Sequence, residues 1–368
     1  MWRKPPDRAE VAMPVPILDA LGDLRECLRV SDDYYHSVDL PFYRSKIAEF
    51  IPDRIIDIHS HVTCPEEIRP GVPRETFWAN RVCPDGMDLP GLLEVNELIF
   101  PGKSVTPVVF PMPSGRLDMD IGNRYVAREA PMYGAIPLML THPGWEAEHL
   151  AEMLDEGGFR GLKPYPNMAQ DKEPDEIEIY DYLPREHLAL ADERGLLVIL
   201  HIPRSGRLAD SVNIMQLREI DEDFPRARVV VAHVGRAYCR RFGSGIDDLG
   251  DTQNIAFDIS ANTNREVFER LVRTIEPGRI LYGSDLPIPA MHSRRVCEGN
   301  NYVNIVLGAD WEDGHTRAAG QDEGVTFFLY EAIAAFLGAA EKEGLSEEDM
   351  RKIFYTNGEK MLGIEEEG

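Results

Sequence analysis

Two histidines spaced by one residue close an apolar run, Ile55-Ile-Asp57-Ile-His59-Ser-His61. Alternate side chains of an extended strand share a face, so His59 and His61 can offer two imidazoles to one cation. Other apolar runs end on further donors: Val-Ile-Leu-His201, Val-Val-Ala-His233, Gly-Leu-Lys163-Pro-Tyr165 and Ile-Leu-Tyr-Gly-Ser-Asp285. A lone histidine at a strand end is more often structural, and Asp285 within Gly-Ser-Asp-Leu-Pro would by itself be read as a turn former or helix cap. The joint pattern favours chemistry. It points to a metal held by His59, His61, His201 and Asp285, with His233 as a further ligand or a catalytic histidine.

Imidazole and carboxylate ligands suit zinc, and also manganese, iron or cobalt. Such a cation lowers the pKa of a bound water to about 7, so hydroxide becomes available at neutral pH. In that scheme Asp285 is ligand and base together, passing the proton of the attacking water to the leaving group. His233 either binds a second metal or stabilises the oxyanion of a mononuclear site. Asp57 orients a ligand histidine or stabilises its strand. Arg204 and Arg207 follow His201, and Arg236 follows His233. Guanidinium forks suit a substrate carboxylate, although pairing with surface acids is an equally good reading. Tyr165, Asn262 and His292 are further candidates to line the cleft.

Positioning these groups requires strands that stop at one mouth. Eight apolar runs recur at regular intervals: Ile55 to His59, Thr106 to Phe110, Ala135 to Leu140, Gly161 to Pro164, Leu197 to Ile202, Val229 to His233, Ile255 to Ile259 and Arg279 to Tyr282. Several are continuous Val, Ile and Leu, as expected of parallel strands buried on both faces. Helix-period segments lie between them, at Asn123 to Arg128, Trp145 to Glu156, Arg185 to Arg194, Ile214 to Asp223 and Arg265 to Thr274. The alternation predicts an α/β fold, a (β/α)8 TIM barrel, whose functional groups sit at the C-terminal strand ends. Residues 1–52 read as an N-terminal extension, with a helix over Ile17 to Val30 and then aromatic Tyr34, Tyr35, Phe42 and Tyr43. Residues 53–368 read as the barrel domain. Cys64 to Lys103 and Pro287 to Asp322 are long enough to fold over the mouth. Val325 to Glu341 and Ser346 to Phe354 read as closing helices, the latter with a Ser346-x-x-Asp349 capping box.

The chain has 368 residues and a formal net charge of -25, from 64 acidic and 39 basic side chains. That balance disfavours nucleic acid and anionic membranes as partners and leaves a small-molecule substrate. The N-terminal prolines and acids interrupt any apolar signal segment, and no run is long enough to span a bilayer. Five cysteines, scattered and without a C-x-x-C pair, suggest neither a disulfide framework nor a cysteine zinc site, so a reducing, cytoplasmic setting is expected. The aromatic extension offers an interface for a homodimer.

H-x-H on strand one, lysine on strand four, histidines on strands five and six and aspartate after strand eight resemble the amidohydrolase superfamily of metal-dependent hydrolases. The resemblance extends over residues 53 to 363, including the closing Ile353-Phe-Tyr-Thr-Asn357-Gly-Glu-Lys-Met-Leu-Gly363. It implies that Lys163 can be carboxylated and bridge two divalent metals, a role that needs a neutral amine. The competing readings of Lys163 are a charged contact to a substrate carboxylate and half of a structural ion pair. Three functions compete. The first is hydrolysis of a C–N or C–O bond in a small, carboxylated amide, cyclic amide, ester or lactone. The second is metal-dependent nonoxidative decarboxylation, which the resembling branch also contains, and the third is a noncatalytic barrel that only binds.

Overall fold

The computed structural model describes residues 31–67, 86–114, 117–299, 301–309, 314–320 and 323–364. The expected helix Ile17 to Val30 lies outside them. Nine parallel segments build the central sheet: β1 (Arg54–Val62), β2 (Ser104–Pro111), β3 (Ile136–Pro137), β4 (Met139–Leu140), β5 (Gly161–Lys163), β6 (Leu197–Leu200), β7 (Arg228–Val231), β8 (Ile255–Asp258) and β9 (Ile280–Leu281). β3 and β4 are one run interrupted at Leu138, whose N–H bonds to Val109 O at 2.9 Å, so β1–β2–β3 continues into β4 to β9. The ring closes between β9 and β1 through Ile58 N to Tyr282 O (3.2 Å), Asp285 N to His59 O (2.7 Å) and His61 N to Leu286 O (2.8 Å). Eight strands thus form a barrel, the fold the alternation predicts.

Side chains sort by parity into two cores. Ile56, Ile58, Val108, Phe110, Leu138, Leu197, Ile199, Val230, Ala232, Ala256 and Leu281 pack together inside the barrel, with Tyr355 and Leu362 from the last helices joining them. Ile55, Val109, Leu162, Val198, Val229, Val231 and Ile255 face outward into the layer beneath the helices. Asn357 fastens the closing segment by donating to Pro277 O (2.7 Å) and Ile280 O (2.8 Å).

Three of the outer helices begin where a side chain accepts their free N–H groups. Asp118 caps Met119–Met132, Asp210 caps Ser211–Asp223 and Asn264 caps Arg265–Thr274. The Ser346–Asp349 capping box is present as expected. Arg185–Arg194 ends at Gly195 in the left-handed conformation, which glycine adopts without steric cost.

Two additions shape the mouth. The segment after β9 forms a small sheet in which β10 (Ser293–Glu298) pairs antiparallel with β11 (Asn301–Leu307), and β11 pairs parallel with β12 (Thr316–Ala319). A Cys239–Cys297 disulfide ties β10 to the loop after β7. This corrects the expectation that no disulfide forms: the two cysteines are 58 apart in sequence and meet only through the fold. The described part of the N-terminal extension lies against the barrel, where Tyr35 donates to Leu98 O at 2.9 Å. Buried Asp39 accepts from Thr326 Oγ1 (2.6 Å) and sits 2.8 Å from His292 Nε2. His292 is therefore a partner of the extension. Among the described residues no helix is long and apolar enough to cross a membrane.

Candidate metal centre

The two histidines of β1 owe their direction to a bulge. Asp57 pairs with Pro107 and Ser60 with Val109, so β1 carries one extra residue there. Ile56 and Ile58 line the interior below it. The parity shift turns His59 and His61 onto the same interior, where their rings lie 5.3 and 4.7 Å from Phe110. Asp57 fastens the bulge by accepting Ser60 Oγ (2.6 Å), Ser284 Oγ (2.5 Å), Ser284 N (2.8 Å) and His59 N (3.1 Å). It thus locks β1 to the turn that carries Asp285 and touches neither imidazole. Burial nevertheless pushes its carboxyl up to about 6.

Asp285 follows β9 in the left-handed region (φ 61°), a conformation that costs a non-glycine residue about 1–2 kcal/mol. His59 Nε2 and His61 Nε2 each lie 3.3 Å from the same oxygen, Asp285 Oδ1. Burial opposes ionisation of Asp285, but His233, His61 and His59 hold its carboxyl well below the usual range. Burial lowers the pKa of both β1 imidazoles, and Lys163 adds to the effect on His59. Neutral rings around an ionised carboxylate are the protonation states a divalent cation requires.

A second group joins His59, His233 and Asp258. Asp258, at the end of β8, accepts His59 Nδ1 at 2.9 Å through Oδ2. Its Oδ1 accepts His233 N (2.8 Å), Ser260 N (3.0 Å) and the Ser260 hydroxyl. Since Ser260 Oγ gives its single proton to Asp258, its 2.8 Å contact with His233 Nδ1 requires the imidazole to donate. Both imidazoles therefore carry the proton on Nδ1, which leaves the lone pair of each ring on Nε2, the atom that can bind a cation. Burial brings His233 down to about 4, keeping it neutral.

Lys163 is fully buried at the end of β5, with Nζ 3.4 Å from His59 Nε2 and 5.0 and 5.2 Å from the Phe110 and Tyr165 rings. Burial lowers its pKa to about 8, against the pull of Asp258 and Asp285. No carboxylate among the described residues lies within ion-pairing distance, so the structural ion pair has no acid to complete it. His201 stacks on Tyr165 at 4.8 Å and meets His233 edge-on at 5.1 Å. Among the described residues its Nδ1 is buried without a hydrogen-bond partner, and it belongs to neither close-set donor group.

The arginines divide. Arg204 bonds to Asp210 at 3.0 Å, the reading in which it serves structure. Arg207 lies among the rings of Tyr238, Phe242 and Tyr302, while Arg236 donates to Ile202 O at 3.3 Å. Asn262 donates to Ala237 O (3.1 Å) and accepts from Asn264 N (2.9 Å), bracing the loop. Asp258, Ser260 and Arg295 escape the sequence argument. Asp258 leaves one trace, as the single acid in the apolar run Ile255 to Ile259.

The fold and this donor set define a barrel of the kind that holds a cation at its mouth. The family model described as Amidohydrolase matches residues 105–364, and the chain belongs to that family of metal-dependent enzymes. The match takes in Lys163, His201, His233 and Asp285 and begins after His59 and His61. No curated protein matches the sequence. Among solved structures, a zinc-bound amidohydrolase from Burkholderia multivorans is similar at 12% identity and TM-score 0.55, covering 84% of this chain and 99% of that one. A 2,6-dihydroxybenzoate decarboxylase complexed with 2,6-dihydroxybenzoate is similar at 13% identity and TM-score 0.55, covering 85% and 100%. A putative 2-pyrone-4,6-dicarboxylic acid hydrolase from Pseudomonas putida is similar at 18% identity and TM-score 0.51, covering 86% and 100%. These likenesses establish the fold.

Proposed function

We propose that the chain is a metal-dependent hydrolase that cleaves a C–N or C–O bond of a small carboxylated substrate, an amide, cyclic amide, ester or lactone. The carrying observation is the convergence of His59 Nε2 and His61 Nε2 on Asp285 Oδ1 at 3.3 Å, where burial lowers the pKa of both rings. The donor set fits zinc and equally manganese, iron or cobalt. His59, His61 and Asp285 would hold one ion. His233 Nε2 and His201 would serve a second, and Lys163, once carboxylated, would offer a carbamate oxygen as a further ligand. When bound, a divalent cation supplies Lewis acidity and makes a water acidic enough to attack near neutral pH.

The chain's own residues do the rest. Asp285 takes the proton of the attacking water and returns it to the leaving nitrogen or oxygen. His233 carries its proton on Nδ1, bound to Ser260. Its Nε2 is therefore an acceptor facing the site, which favours ligation over donation to an oxyanion. Phe110, Tyr165 and the buried strand ends exclude bulk water from Lys163.

Metal analysis with a substrate panel tests the reading. The purified protein should hold one to two equivalents of divalent metal and turn over carboxylated lactones or cyclic amides. Asp285→Asn should lower kcat by about 10²–10⁴-fold. Release of CO₂ from carboxylated phenols, with no hydrolysis of the panel, would replace hydrolysis by decarboxylation. Failure to retain metal would leave a noncatalytic barrel. Bicarbonate labelled with ¹³C decides the role of Lys163. A carbamate signal that grows as pH rises through about 8 marks carboxylation, and its absence leaves a charged lysine facing the substrate.

A further inference from the structure

We infer that the Cys239–Cys297 disulfide is a thiol-exchange site, at which a small anionic thiol attacks Cys297 from a groove lined by Arg240, Arg241 and Arg270. None of the groove's residues is a candidate metal donor, and exchange at this bond needs no turnover at the metal centre.

The bond joins two sulfurs in unlike surroundings. Cys239, on the loop after β7, is 2% exposed, whereas Cys297, near the end of β10, is exposed. Cys297 lines the groove and Cys239 does not. Asn264, the cap of the helix Arg265–Thr274, holds its amide nitrogen 3.5 Å from Cys297 Sγ, so this sulfur sits where that helix begins. Exchange requires a thiolate to reach one sulfur of the disulfide, and access therefore selects Cys297 as the sulfur attacked and Cys239 as the one released.

The groove has a volume of about 650 Å³, room for a small thiol, and its lining sets three guanidinium groups against one carboxylate, that of Glu266. The pairings of these arginines are loose. Arg240 lies 3.6 Å from Glu266 and Arg270 lies 3.7 Å from Asp247. Arg241 lies over the Phe242 ring at 4.7 Å and meets no carboxylate among the described residues. Exposed pairs at such distances contribute little, which leaves the guanidinium groups available to an arriving anion. Glu298, next to Cys297 in sequence, is held by Arg317 at 2.7 Å. A chain of net charge -25 repels an anionic thiol at long range, and the excess of guanidinium groups reverses that sign where the sulfur is exposed.

The incoming thiolate sulfur bonds to Cys297 Sγ as the bond between the two cysteine sulfurs breaks. The electron pair of that bond leaves with Cys239 as a thiolate, which solvent protonates. One thiolate and one disulfide thus give one mixed disulfide and one thiolate, with no net oxidation. The reverse attack by Cys239 restores the original bond. Exchange unfastens β10 from the loop that also carries His233.

Exchange kinetics on the air-oxidised wild-type chain test this. The probes are 2-mercaptoethanesulfonate, 2-mercaptoethanol and cysteamine, which share a two-carbon spacing and carry a negative, no and a positive charge. Rates are compared per thiolate, and peptide masses locate the adduct. The anionic thiol should react at least about tenfold faster than the neutral one, and cysteamine more slowly still. High salt should narrow the series. The adduct should sit on Cys297, with a free thiol at Cys239. Arg240→Gln combined with Arg241→Gln should remove the preference, while Arg194→Gln, whose partner is Asp155, should keep it. Equal rates for the three thiols in the wild type, a preference undiminished in the double variant, an adduct on Cys239, or two free thiols in the air-oxidised protein would each overturn the proposal.

Discussion

Asp258 contacts His59 Nδ1 through Oδ2 at 2.9 Å and reaches His233 Nδ1 through the Ser260 hydroxyl, so one carboxylate fixes the tautomer of two imidazoles from two strands. Burial opposes its ionisation, but His59, His233 and Ser260 keep it charged far below the usual carboxylate range. Asp258→Asn removes that charge and one acceptor while keeping the shape. Metal affinity should fall about 10–100-fold, as expected when the group behind a ligand histidine is lost. Chelator competition measures it, with circular dichroism as the control for folding. Wild-type affinity in the variant would mean that the carboxylate has no part in preparing the ligands.

Gly283 is the second position where the site depends on something other than a donor atom. A Cβ built there would lie 2.8 Å from His59 Cβ, closer than side chains approach without displacement. Gly283→Ala should push the His59 ring away from Asp285 and weaken metal binding by at least about tenfold, since a shift of about 1 Å is enough to spoil such a site. Secondary structure should be unchanged, because the backbone at Gly283 needs no positive φ. Unaltered metal affinity would show that His59 yields without leaving its place.

The barrel is legible in the sequence because its strands are buried on both faces and therefore read as unbroken apolar runs. Leu197 to Ile202 contains β6, and the helices Arg185–Arg194 and Arg265–Thr274 fall where periodicity places them. The direction of His59 and His61 is legible only in part. Strict alternation puts them with Ile55 and Asp57, on the outward face, and the extra residue between Asp57 and Ser60 is what turns them inward. Bulges leave no composition signal. The sheet β10–β12 is also silent, since Ser293–Glu298 is a half-exposed strand rich in charge whose partners lie on β11. Asp258 and Arg295 act across gaps of 25 or more residues. Spacing rules, which work within one element, do not reach them.

Glu67 gives a pH dependence that can be tested apart from the metal. It sits just after β1, 1% exposed, with Oε2 accepting Cys64 N at 2.7 Å and Oε1 buried with no hydrogen-bond partner among the described residues. Burial, reinforced by Asp118, raises its pKa from 4.5 to about 7. The folded chain therefore keeps a proton that the unfolded chain loses. The contribution to stability is whole below about 4.5, declines as pH rises, and is gone above about 7. At roughly 1.4 kcal/mol per pKa unit the full effect has a ceiling of about 3 kcal/mol. Glu67→Gln keeps the acceptor for Cys64 N and cannot ionise. It should match the wild type near pH 5 and exceed it in urea unfolding at pH 8, with the difference growing between. A stability difference that stays constant from pH 5 to pH 8 would mean that Glu67 is already ionised in the folded protein at the lower pH.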